Sequence, residues 1–183
     1  DPLYGNVPVA MSWLTENLAS KGYVVAAIRH GDMYLNPAGF PQAALRRPLD
    51  IAFVARELQR TLGSEGGRVD PTRTALIGYS MGGYGALAAA GATLDPAGGL
   101  VRNVPGGLLA PFARGGALSG SLVAPNVRAV VALAPAGGAF GAFGASGIAE
   151  IRSPLLLIAG DHDLTVDYTT GARAYFDQAV GSN

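Results

Sequence analysis

With 183 residues the chain has the length of one domain, enough to bury about 70% of the surface its unfolded form exposes. Thirteen Lys plus Arg balance thirteen Asp plus Glu, so no net field draws it to nucleic acid or an anionic membrane surface, and small, uncharged or amphiphilic partners are expected. The absence of cysteine excludes disulfides, thiolate catalysis and cysteine-ligated zinc while leaving the compartment undetermined, and no apolar stretch reaches the roughly 18 residues of an integral membrane segment.

The first element expected is a short amphipathic helix over 9–20, with Ala10, Trp13, Leu14, Asn17 and Leu18 at helical spacing and Lys21-Gly22 closing it. Residues 23–28 form a continuous apolar run rich in β-branched side chains, the pattern of a parallel strand buried on both faces. A polar, proline-containing loop follows to Arg47, and a helix beginning near Pro48 carries Ile51, Val54, Ala55, Leu58 and Leu62 along one face. Val69-Asp70-Pro71 marks a turn, residues 74–77 a strand, and residues 82–92 a small-residue helix.

From Thr93 to Asn126 the chain is rich in Gly, Pro and Ala without clear period, and a long loop excursion over the carboxyl edge of the sheet is expected there. Strands over 128–133 and 154–158 flank a second glycine-rich loop, and a last helix covers about 168–180. Strands alternating with helices imply an α/β fold with a mostly parallel sheet, right-handed crossovers and a ligand site at the carboxyl ends of the strands.

Between strand 74–77 and the helix after it stands Gly78-Tyr79-Ser80-Met81-Gly82. A G-x-S-x-G sequence in a strand-turn-helix context is the signature of a nucleophile elbow, whose tight turn lifts the serine hydroxyl above the sheet edge. Ser80 is the first candidate for chemistry. A serine needs a base to take its proton and a carboxylate to orient that base. Strand 154–158 runs into Asp161-His162-Asp163 at the same sheet edge and offers the carboxylate.

In these segments, together with Leu18 to Val25, Asp70-Pro71, Ala132 to Pro135 and Ile158 to Val166, the chain resembles the serine α/β-hydrolases, specifically the dienelactone-hydrolase-like and platelet-activating-factor-acetylhydrolase-like esterases and lipases. The resemblance covers nearly the whole chain and implies a single α/β-hydrolase domain over 1–183 that cleaves carboxylic esters through an acyl-enzyme. It makes Ser80 the nucleophile, Asp163 the triad acid with Asp161 second, and the Met81 amide one oxyanion donor. The other donor falls within residues 1–5, at Leu3 or Tyr4. Glycine-rich loops 105–125 and 135–147, with Tyr79 and Tyr4, are expected to line an apolar pocket for a small-molecule or lipid-like ester, without cofactor or metal.

The family's order is serine, acid, histidine, yet no histidine follows His162. The expectation is that the base lies beyond Asn183, and that a family strand preceding Asp1 pairs with both 23–28 and 74–77, so that 1–183 is an internal portion of a longer hydrolase. His162 adjoins Asp163 too closely for base and orienter to meet, and His30, ending strand 23–28, reads as a hydrogen-bonded structural residue or a substitute base. A non-catalytic binding protein of the same fold, or an acyltransferase using the same serine, are the competing readings. No phosphate-loop or dinucleotide motif is present.

Overall fold

The computed structural model describes residues 8–31, 39–63 and 69–180. Among them a three-stranded parallel sheet, ordered β1 (Thr74–Tyr79), β2 (Val127–Leu133) and β3 (Leu155–Ile158), forms the spine. Register places Tyr79 beside Leu133 and Leu133 beside Ile158, so all three strands finish along one carboxyl edge.

The helices are α1 (Ser12–Ala19), α2 (Phe40–Leu62), α3 (Met81–Ala89), the single-turn α4 (Gly99–Asn103) and α5 (Ala174–Val180). Helix α3 is hydrophobic all round and buried along its length, as a central helix must be. It covers the sheet face carrying Leu76, Val130 and Ala132, and α2 packs on α3 through Gly85, where an added Cβ would stand 3.0 Å from Ile51 Cδ1. Ile77, Tyr79, Leu156 and Ile158 alternate onto the opposite face, where they are exposed among the described residues. Among the described residues the three strands are therefore covered on one face.

Helix α2 starts eight residues before the position expected from Pro48, which sits inside it. A mid-helix proline lacks the N–H that would bond the carbonyl four residues earlier, here Ala44. The buried Tyr84 hydroxyl of α3 donates to that carbonyl at 3.0 Å, so the helix passes through the proline with the orphaned acceptor satisfied.

Further expectations meet the structure as follows. Residues 23–28 lie outside the sheet, with Tyr23 and Val24 exposed, because an apolar run supplies strand propensity but a strand also needs a ladder partner, and none stands beside it among the described residues. The 93–126 excursion reaches the carboxyl edge through Leu100 and returns at its end towards β2. It descends to the amino edge, where Ala124 N–H donates to Ala89 O at the far end of α3 and Asn126 O accepts from Thr74 N–H at the start of β1. The last helix, expected from about 168, opens instead with a wide turn over Thr169–Arg173, broken at Gly171, before α5.

Candidate active site

Ser80 occupies the junction of β1 and α3 with φ 53° and ψ −118°, a conformation that side-chain-bearing residues rarely adopt. The glycines around it permit the turn unequally. A Cβ on Gly78 would stand 2.1 Å from Gly82 O, and one on Gly83 2.9 Å from Pro135 Cα, whereas one on Gly82 would meet nothing within 4 Å. Gly78 lets strand and helix approach, and Gly83 lets the helix lie against the chain leaving β2.

Backbone hydrogen bonds hold the elbow on both sides. Ser80 N–H donates to Leu133 O at 2.9 Å, and Ser80 O accepts from Tyr84 N–H and Ala136 N–H, each at 3.0 Å. Ser80 itself is largely buried. Met81 is the first residue of α3, and the first amides of a helix have no intrahelical acceptor, so its N–H belongs to a group of donors aimed from the helix start.

Shortly after β3, at the same carboxyl edge, Asp163 is partly buried and its Oδ1 accepts from Thr165 N–H (2.9 Å) and Val166 N–H (3.1 Å). Those bonds fix the carboxylate in the turn. Asp161 and His162 beside it are exposed. His30 is elsewhere engaged: its Nδ1 lies 2.8 Å from Asp50 Oδ2 on α2, with the His30 side chain 8% exposed. Leu3 and Tyr4 lie outside the described residues, and so does the proposed oxyanion contribution of that segment.

Next to the elbow is a shallow apolar depression lined by Phe40, Ala44, Met81, Tyr84, Leu100 and Gly137. Loop 135–147 contributes Gly137, but Tyr79 is exposed on the same sheet face as Ile77 and is no part of this lining. Phe40 and Leu100 were missed from sequence, because one sits before the expected helix start and the other in a segment without period. Below the depression Tyr84 stacks on Phe143 (centroids 5.6 Å apart), and Phe143 meets Tyr175 of α5 edge-on at 5.5 Å. Burial raises the Tyr84 phenol well above its ordinary value; burial and, secondarily, the charge of Tyr84 do the same to Tyr175. Among the described residues no group of three or more His, Asp or Glu side chains is placed to hold a metal ion, and no helix is long and apolar enough to cross a membrane.

Residues 2–97, more than half of the sequence and including the whole elbow, match a family model described as PET hydrolase-like. The chain belongs to this family. As a PET hydrolase-like protein it has the α/β-hydrolase fold, of which the parallel sheet, the elbow and the flanking helices are the visible parts. The chain is also similar to Lipase 1 of Moraxella sp. (strain TA144), 27% identical over 180 residues, covering 98% of this chain and 42% of that protein. It thus spans about two fifths of the length of that curated relative.

Proposed function

We propose that this PET hydrolase-like chain cleaves carboxylic esters through an acyl-enzyme on Ser80. The observation that carries the reading is the strained Ser80 backbone at the β1–α3 junction, braced on both sides and followed directly by a helix start. The family match and the similarity to a lipase support ester hydrolysis as the class of reaction.

In this mechanism Ser80 Oγ attacks the ester carbonyl carbon while its proton passes to a histidine that Asp163 orients. The negative charge on the carbonyl oxygen is held by Met81 N–H and by a donor from the N-terminal segment, assigned to Leu3. Removing one such donor typically costs roughly 3–4 kcal/mol of transition-state stabilisation. The carbon–oxygen bond to the alcohol then breaks, the alcohol takes the proton, and water attacks the acyl-enzyme with the same base to release the acid. His30 is given no part in this mechanism; its Nδ1 pairs with Asp50 Oδ2 at 2.8 Å.

Ser80→Ala tests the reading. It should abolish both hydrolysis of a p-nitrophenyl ester and covalent labelling by a fluorophosphonate, with the protein still folded. Labelling of the Ser80→Ala variant at the rate of the unmodified protein would remove Ser80 from the nucleophile's role. Product analysis in the presence of an alcohol separates hydrolysis from acyl transfer.

A further inference from the structure

Two residues with positive φ stand side by side at the carboxyl edge of the sheet. Tyr79 and Leu133 are the last register partners of β1 and β2, and the residue after each, Ser80 (φ 53°) and Ala134 (φ 41°), turns into the left-handed half of conformational space. For Ser80 this is the elbow. Ala134, by contrast, is an alanine whose amide donates to Ile158 O at 2.7 Å.

In a parallel ladder every second residue of a strand donates to its neighbour. Since Ser80 N–H donates to Leu133 O, a regular continuation would ask residue 135 to donate to Ser80 O. Residue 135 is proline and has no N–H. The Ser80 carbonyl is instead reached by Ala136 N–H at 3.0 Å, one residue further along. Ala134 and Pro135 together stand against the single residue Ser80, and the positive φ of Ala134 is the turn that accommodates the extra residue. Pro135, itself buried, then rests on Gly83, so the same step presses on the elbow helix.

We propose that Ala134 is a positioning residue for Ser80: its left-handed turn skips the donorless Pro135 and brings Ala136 N–H to the Ser80 carbonyl, which fixes the backbone from which Oγ projects. The proposal rests on Ser80 being the nucleophile, and it deepens that reading by naming what holds the serine in place. A misplacement of about 1 Å in such a group can cost on the order of a hundredfold in rate.

The test compares Ala134→Gly, which adopts positive φ without strain, with Ala134→Val, whose branched Cβ opposes it. With labelling rates expressed per folded protein, the Gly variant should react with a fluorophosphonate within about twofold of the unmodified protein and the Val variant at least about tenfold more slowly. A purely structural role would lower the melting temperature of the Val variant and leave the rate of its folded fraction unchanged, and that result overturns the proposal. Equal slowing in both variants overturns it too. Hydrogen exchange in the unmodified protein supplies a readout independent of labelling and of variant folding: the Ala136 amide should be protected to within about tenfold of the β2 ladder amides. A freely exchanging Ala136 amide sinks the proposal even if Ser80 is the nucleophile. A protected amide in a protein that the reagent never labels leaves the brace in place and removes the nucleophile.

Discussion

The carbonyl oxygen of Gly82 lies 2.1 Å from where a Cβ on Gly78 would stand. Neither atom belongs to a flexible side chain, so nothing can swing aside, and strand and helix would have to separate. Gly78→Ala is therefore expected to destabilise the protein by more than about 4 kcal/mol, in the tail reserved for overpacking against rigid structure. Gly82→Ala adds a methyl where nothing lies within 4 Å and removes helix-opposing backbone freedom, so its effect is expected between neutral and a gain of about 1 kcal/mol. Urea unfolding followed by circular dichroism gives both values, and equal losses at the two positions would contradict the elbow geometry.

Asp163→Asn separates charge from scaffold. The Oδ1 that accepts from Thr165 and Val166 amides survives the substitution, so the turn should persist, while the negative charge that would steady a histidinium is lost. Ester turnover is expected to fall by about four orders of magnitude with little change in melting temperature, as for the orienting acid of a triad. Should Asp163→Asn keep most of its activity and Asp161→Asn lose it, the role moves to Asp161.

His30→Ala probes the pair with Asp50. The histidine side chain is nearly buried, whereas that of Asp50 is 38% exposed and regains water when its partner goes. A loss of about 1 kcal/mol is expected, from a hydrogen bond that joins the chain after residue 29 to the middle of α2. Fluorophosphonate labelling should persist. Loss of labelling in a folded His30→Ala protein would make His30 the base, with Asp50 as its orienter.

Alkaline pH should weaken the fold through Tyr84 and Tyr175. Both phenols are held neutral by burial, with folded-state values raised above the ordinary value of about 10. Below that pH folded and unfolded chains both keep these protons and the contribution is intact. Above it the unfolded chain ionises first, so stability falls as pH rises towards the folded-state values. Urea midpoints between pH 8 and 11 would be expected to decline above about 10. Tyr84→Phe should make that decline shallower, and at neutral pH it should cost about 1–3 kcal/mol because Ala44 O loses its donor inside the protein. An unchanged midpoint at neutral pH would mean that the Pro48 turn of α2 does not depend on Tyr84.

Legibility of the fold followed the range of the interaction. Apart from the single-turn α4, the order of strands and helices from β1 onward was readable, as was the place of Ser80 between β1 and α3, because hydrophobic period and turn chemistry act within a few residues. The position of Asp163 after β3 was readable for the same reason. The two amides its carboxylate accepts from belong to the same short turn.

What the sequence by itself determined is thus an α/β chain with a serine at a glycine-bounded strand-to-helix turn and a carboxylate at the same edge. Tertiary structure decided the rest. Helix α2 continues through Pro48 because a tyrosine forty positions from Ala44 supplies the donor that carbonyl lacks. His30 pairs with Asp50 twenty positions along, and the 93–126 excursion returns to the amino edge of the sheet through bonds to Ala89 and Thr74. The apolar run 23–28 stands outside the sheet despite its strand composition. Each of these outcomes depends on which donor meets which acceptor across the folded chain, and that pairing is set by packing at a distance which no local pattern encodes.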